Sequence, residues 1–413
     1  MSEAATAEAA GLRVAVDARA LDIDGFRTQG IGRYAHSLLG PLHDAARGRG
    51  GELVLLRQPA SGSPASPYGG DPAPAAPVLR VRRPPVPPRL VDWPEQLLLP
   101  LDLRRSKARV AHALSIYRAA VWPGVPTVMT MLDVVPLMWP DQYLKSGLGH
   151  RMLYRAARRA RLLLAISDTV RRDVIAHLGV SPKRVVCVPL AAHSRFAPAD
   201  PRPARKRLSL EGPYLLYVGG LQSADPRKNL EGLVDAYARW RREQHRDEVL
   251  VLVGQTGAAS RALEARAAAA RAPVRFAGFV PDEELPGLLS GARCLVTASR
   301  YEGFGLPALE AISCGTPVVA FDAGAVPEVA GPGGLLAPDG DGDALMRAVA
   351  RVCDEPAVRE RLSAAGRRHA RRYSWRRTAE LTWDAYERVA AQREARSPIP
   401  REEHRAHAGG SSP

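Results

Sequence analysis

Two separate series of short apolar runs, alternating for the most part with helix-patterned stretches, constrain this chain more than any other feature. The first series is LRVAVD (12–17), ELVLLR (52–57), VLRVR (78–82), RVAHAL (109–114), TVMTML (127–132), LLLAIS (162–167) and VVCVPL (185–190). Most of these runs are apolar at consecutive rather than alternate positions, as a strand covered on both faces requires. Strands alternating with helices build a parallel sheet. A polar, proline-rich passage, APADPRPARKRLSLEG (197–212), then interrupts the series and reads as an interdomain linker, with a helix open for part of it. The alternation restarts with YLLYVGG (214–220), a helix from Asn229, VLVLVG (249–254), VRFAG (274–278), a helix from Asp282, CLVTAS (294–299) and PVVAFD (317–322). The expected fold class is therefore α/β, with two similar α/β/α halves facing across a cleft, and 413 residues suffice for two cores.

Residues 11–196 are expected to form the first half and 213–373 the second, with 1–10 and 397–413 disordered. The stretch from Gln58 to Arg89, rich in proline, alanine and glycine, reads as a surface insertion carrying at most one strand. Helical patterns continue through DGDALMRAVARVCD and AVRERLSAAGRRHARR. After Ser374, a good N-cap, WRRTAELTWDAYERVAAQ places Leu381, Ala385 and Val389 on one face of a last amphipathic helix, 375–395.

No stretch approaches the roughly 18 to 20 apolar residues of a spanning helix, and no signal peptide is visible, so a cytoplasmic location is expected. Cys187, Cys294, Cys314 and Cys353 are too scattered for a metal or redox motif. The chain carries 58 basic residues, nearly all arginine, against 43 acidic ones. That balance favours phosphate-bearing or anionic-surface partners. The basic residues are not interleaved with aromatics and no nucleic-acid-binding pattern occurs, so no nucleic-acid partner is expected. The basic stretch RMLYRAARRARLLLA (151–165) is either a solvated helix face or a peripheral contact with an anionic membrane.

The chemistry concentrates in SRYEGFGLPALEAISCGTPVVAFDAGAVPEV (299–329). A strand leads to Glu302, then Gly303, Phe304, Gly305 and Leu306, and Pro307 opens a helix where its missing N–H is harmless. Glu310 follows one turn into that helix. Backbone amides at a helix start have no intrahelical partner and suit anionic, oxygen-rich ligands. GFGLPA (303–308), with Asp322 ending the next strand, also fits a dinucleotide fingerprint. Against it, the polar SRYE intervenes between strand and glycine, and the crossover helix is short.

With its two glutamates separated by seven residues, this segment resembles the donor-site signature of retaining glycosyltransferases of the GT-B fold, family 4 in particular. The resemblance runs from Leu12 to about Ala391. It implies two Rossmann-like domains, with the last helix crossing back to the first. It also implies a nucleotide-sugar donor, a hydroxyl acceptor, no cofactor and no metal. YVGGLQSADPRKNL resembles the segment whose paired basic residues, here Arg227 and Lys228, hold the donor pyrophosphate. By the same resemblance Glu302 lies against the donor sugar and Glu310 bonds the ribose hydroxyls. The amides around Gly303, Phe304, Gly305 and Leu306 line sugar and phosphate, and Val280 in GFVPDEEL lies near the base.

TQGIGRY (28–34) resembles the family's glycine loop, with Gly30 and Gly32 near the phosphate–sugar junction; Arg33 is either a ligand contact or part of a plain turn. MLDVVPLMWP keeps the family's Asp133 but has Leu132 where relatives often have histidine. His112 matches another recurrent family histidine but reads first as a structural residue at the end of a strand. Ser167 reads as a helix cap. Relatives often carry arginine where this chain has Gly220, and lack its extra SAD. Mannosyltransferase-like members share PRKN without that arginine, which points the donor toward GDP-mannose. A nucleotide-sugar epimerase and a non-catalytic nucleotide-sugar-binding or nucleic-acid-binding protein remain the alternatives.

Overall fold

In the computed structural model, which describes residues 11–23, 30–58, 75–82, 92–116, 119–143 and 148–394, the apolar runs become thirteen parallel strands in two sheets. The first sheet contains β1 (Arg13–Asp17), β2 (Glu52–Arg57), β3 (Val78–Arg80), β4 (Val110–Ala113), β5 (Thr127–Met131), β6 (Leu162–Ala165) and β7 (Val185–Cys187). Its spatial order is β3-β2-β1-β4-β5-β6-β7. The second contains β8 (Tyr214–Val218), β9 (Val249–Val253), β10 (Val274–Gly278), β11 (Leu295–Thr297), β12 (Val318–Phe321) and β13 (Gly334–Ala337), ordered β10-β9-β8-β11-β12-β13. Strands β4, β5, β6 and β12 are buried at every position, which is why they read as continuous apolar runs.

Both orders reverse direction at one place, between β1 and β4 and between β8 and β11. In open parallel sheets, ligands bind outside the carboxyl ends of the strands at such switch points. Each half thus offers a crevice, and the loops that leave β8 and β11 carry Arg227, Lys228 and Glu302.

Two features carry no clear signal in the sequence. Strand β13 is a four-residue edge strand in a glycine–proline passage, too short to show a period. A helix spans Asp92–Arg105 despite Pro100, and buries Leu99 and Leu103. The expected linker contains a short helix, Arg202–Arg207, whose Ala204 is buried as it packs on helix Leu285–Gly291. That second helix was expected from Asp282; it starts at Leu285, after a turn. Most of the insertion between Gln58 and Arg89, and both tails, lie outside the described residues.

The last helix, Trp375–Glu394, returns to the first domain and packs along helix Gly30–Gly48. Ser374 caps it by accepting the Arg377 N–H at 3.2 Å. Ala385 and Val389 are buried on its inner face, with Trp383 and Tyr386, and Leu381 is half-buried against the same core. Thr378 Oγ1 donates to the Pro189 carbonyl at 2.7 Å, and Arg49 bridges Asp384 and Glu387. One continuous apolar core includes residues of both sheets and this helix.

Candidate active site

At the carboxyl end of β8 the chain passes Gly219 and the exposed Gly220, then enters a single 3-10 turn, Pro226–Lys228. Sequence dictates this turn: the Asp225 side chain caps it by accepting the Arg227 N–H at 3.0 Å, and Pro226 fills the first position. The turn presents Arg227 and Lys228 side by side. Lys228 Nζ donates to both oxygens of Glu302, at 2.6 and 2.8 Å. Arg227 Nη2 donates to Asp225 Oδ2 at 2.6 Å and its Nε to Asp225 Oδ1 and the Tyr143 hydroxyl, both at 3.1 Å. The Arg300 N–H bonds the Arg227 carbonyl at 2.7 Å and ties the loop after β11 to this turn.

After Glu302 the loop turns into helix Leu306–Ser313 through Gly305, whose φ of 91° suits glycine. No protein acceptor among the described residues takes the N–H groups of Gly303, Phe304, Gly305 or Leu306. The Phe304 ring is buried edge-on against Tyr373. Gly303 approaches the first domain so closely that an added Cβ would lie 2.3 Å from the Leu132 carbonyl oxygen.

Glu310 is not a solvated helix residue: it is 1 % exposed. Arg33 of the first domain reaches it at 2.8 Å and lies 3.6 Å from Asp282. Burial outweighs the Arg33 cation, and Asp282 adds to it, so the Glu310 carboxyl is raised to about 7. Arg33 also stacks over the Phe196 ring at 5.5 Å. Val280 is buried, while its neighbour Phe279 is 64 % exposed.

On the first-domain side, Gly30 opens helix Gly30–Gly48 and is exposed, and Gly32 is buried in its first turn; Thr28 and Gln29 lie outside the described residues. Asp133 accepts the Val135 N–H at 3.1 Å. Its carboxyl is raised by burial, with Glu302 and Asp225 adding to the effect and Arg227 opposing it. His112 is structural: Nδ1 meets the Tyr386 hydroxyl at 2.6 Å and Nε2 meets Thr130 Oγ1 at 2.9 Å. Ser167 caps helix Asp168–Leu178 as expected, but it also donates to the Gly303 carbonyl at 2.7 Å and so joins the two domains. Glu328 reinforces that joint, accepting the N–H groups of Asp168 and Thr169 at 3.0 and 3.2 Å.

The structure thus gathers Arg227, Lys228 and Glu302 with Gly303–Leu306, and sets Glu310 against Arg33. Sequence reasoning missed Tyr143, Asp225, Asp282 and Glu328. The Asp–Pro pair before Arg227 was a legible cap signal; the other three depend on contacts between distant segments. The dinucleotide alternative is not favoured, because Ala298 to Glu302 separate β11 from Gly303 and Glu302 is held by Lys228. Among the described residues no group of three or more His, Cys, Asp or Glu side chains is arranged to hold a metal ion.

Comparison with known proteins gives two family matches: "Glycosyltransferase Family 4" over residues 28–193 and "Glycosyl transferases group 1" over 201–369. An O-antigen chain mannosyltransferase B from Escherichia coli is 33% identical over 67% of this chain and 77% of its own length. An MMP alpha-(1->4)-mannosyltransferase from Mycolicibacterium hassiacum is 35% identical over 58% of this chain and 57% of that protein. Among solved structures, Anabaena HepE in complex with UDP superposes with a TM-score of 0.68 at 17% identity, covering 92% of this chain and 100% of that one, and shares the fold.

Proposed function

Because this chain belongs to glycosyltransferase family 4 and is a glycosyltransferase of the GT-B fold, we propose that it moves a mannosyl-type hexose from a nucleotide-sugar, GDP-mannose in the first instance, to a hydroxyl acceptor with retention of anomeric configuration. The observation that carries this reading is the set of four N–H groups from Gly303 to Leu306 without a protein acceptor among the described residues, at the start of a helix and in the loop joined by Glu302 to Lys228. Such a set is built for an oxygen-rich anion.

In this reading the bond between the sugar C1 and the diphosphate oxygen breaks, and the acceptor oxygen bonds to C1 on the same face. The acceptor proton passes to the departing phosphate oxygen, so no separate general base is required. Arg227, Lys228 and the four amides take up the charge that develops on the diphosphate, which stabilises the transition state more than the ground state. This cationic and dipolar set does the work a divalent ion would otherwise do, and the reading invokes no metal or cofactor.

Glu302, released from Lys228 by the incoming donor, accepts sugar hydroxyls. Glu310 accepts the ribose hydroxyls in place of Arg33. Asp133 faces the sugar, Gly30, Gly32 and Gly220 leave room around the phosphates, and the base rests on the loop at Val280. The acceptor is a glycan, a lipid carrier or a natural product.

No helix among the described residues is long and apolar enough to cross a membrane. Arg155, Arg158 and Arg159 are exposed on helix Leu148–Arg159, above buried Tyr154, Ala156 and Ala157. That face suits peripheral contact with an anionic bilayer. Co-sedimentation with anionic but not neutral vesicles at low salt is expected, and binding to neither ends this part of the reading.

The donor site is tested by thermal shift of the protein with UDP, GDP, dTDP and ADP, with Glu310→Ala as control. Selective stabilisation by GDP, lost in the control, is expected; at about 100 times the dissociation constant it amounts to roughly 2.7 kcal/mol. No shift with any nucleotide overturns the reading. Stabilisation without sugar transfer to water or any hydroxyl acceptor supports a non-catalytic nucleotide-sugar-binding protein instead.

A further inference from the structure

Arg227 is held by more than its own loop. Tyr143 belongs to the first domain, in the short helix Pro140–Tyr143 that follows β5, whereas Asp225 and Arg227 belong to the second. The Tyr143 hydroxyl donates to Asp225 Oδ1 at 2.6 Å and accepts from Arg227 Nε at 3.1 Å. The Arg227 guanidinium also lies over the Tyr143 ring, 5.3 Å from its centroid. Nε and Nη2 are therefore occupied by Asp225 and Tyr143, and Nη1 has no protein partner among the described residues.

A guanidinium has two edges that can each hold a pair of oxygens. Here the Nε/Nη2 edge is spent on a carboxylate and the other edge is left for a ligand. A carboxylate beside a cation meant for a diphosphate would weaken it if charge alone mattered. Arginine keeps its charge whatever its partner, so what Asp225 supplies is orientation. Tyr143 donates to that carboxylate and draws off part of its negative charge.

Resting on the proposed reading of the site, we infer that Tyr143 and Asp225 are positioning residues that aim the free edge of Arg227 at the diphosphate. Because Tyr143 reaches across the cleft, the aim is complete only when the two domains close. Closure and leaving-group stabilisation are thereby coupled, and the side-chain entropy of Arg227 is lost before the donor arrives.

The test is steady-state kinetics with GDP-mannose and calorimetric GDP affinity, on the full chain and on Tyr143→Phe, Asp225→Ala and Asp225→Asn, with melting temperatures. Tyr143→Phe keeps the ring and loses only the hydroxyl; Asp225→Asn keeps an acceptor oxygen. Misplacing a catalytic group by an ångström costs on the order of 10²-fold, so Asp225→Ala is expected to lose up to about that in kcat. Tyr143→Phe should lose roughly 10-fold, with GDP affinity changed less than about twofold, and Asp225→Asn should recover most of the loss. A fall in kcat that tracks a fall in melting temperature, or kcat within twofold of the parent in every variant, overturns the inference. If the parent binds GDP and transfers sugar, only the inference has then failed. If the parent binds no nucleotide, the reading of the site falls and the inference with it.

Discussion

Lys228 grips both carboxylate oxygens of Glu302, at 2.6 and 2.8 Å, across 74 residues of sequence. Both side chains keep a fifth to a quarter of their surface open to solvent. A pair so exposed contributes no more than about 1 kcal/mol to stability. Its significance lies in placement, because it holds a cation and an acceptor oxygen in fixed relation at the mouth of the amide-lined loop.

Lys228→Met is therefore expected to lower kcat by on the order of 10²- to 10³-fold while the protein stays folded. Glu302→Gln keeps the shape and removes the charge, and should act mainly on turnover of the sugar donor. Paired kinetics and thermal melts check both: full activity in Lys228→Met, or loss explained by unfolding, would contradict the assignment.

Glu310 gives a pH prediction. Its carboxyl rises from the ordinary 4.5 to about 7 through burial, partly offset by Arg33. Hydroxyl donors need the ionised form, so nucleotide affinity should increase as pH rises through about 7 and then level off. Glu310→Gln should bind weakly and lose that pH dependence, as calorimetric titration at several pH values will show. For stability the sign is reversed. The folded chain holds a proton the unfolded chain has released between 4.5 and about 7, so this contribution is largest below 4.5 and is lost as pH rises through 7.

Much of the fold was legible because buried parallel strands are continuous apolar runs: VVAF and LLLA could hardly be anything else. The short edge strand GLLA carried no such signal. Within the site, Arg227, Lys228, Glu302 and Glu310 stood out because they fall in segments that resemble the family's donor-site motifs; taken singly, each reads as an ordinary surface charge. Tyr143 and Glu328 did not, since each works on a backbone or side chain contributed by the other domain. His112 shows the converse. It matches a family histidine yet reads from the sequence as structural, and what the sequence lacks is the partner: the returning helix brings Tyr386 to bury it.

That burial makes His112 a determinant of acid stability. Its pKa is pushed down from 6.5 to about 3 by desolvation, with Asp17 pulling weakly the other way. Between these values the unfolded chain binds a proton that the folded chain refuses. The contribution is therefore present above about 6.5 and is lost as pH falls toward 3, opposite in sign to that of Glu310. His112→Ala is expected to cost about 2 to 4 kcal/mol, from the cavity and from the Tyr386 hydroxyl left without a partner. Denaturant titrations at pH 7 and pH 5 should show a shallower pH dependence in the variant than in the parent.

The two domains approach closely at Gly303, and this contact yields a prediction that separates closure from folding. An alanine Cβ there would meet the Leu132 carbonyl at 2.3 Å, a backbone atom that no side-chain rotation can move aside. The least costly relief is for the two domains to part, which also breaks the Ser167–Gly303 hydrogen bond at the same seam. Gly303→Ala should therefore keep both domains folded and enlarge the radius of gyration in solution scattering. It should lower kcat at least as much as Ser167→Ala, which removes the bond to Gly303 and the cap of helix Asp168–Leu178, each worth about 1 kcal/mol. Gly48→Ala, where an added Cβ meets nothing within 4 Å, is the matched control and should change neither quantity. An unchanged radius of gyration with full activity in Gly303→Ala would mean that the contact is dispensable, and that closure is held by the other contacts between the domains, those of Glu328, Arg33 and Tyr143.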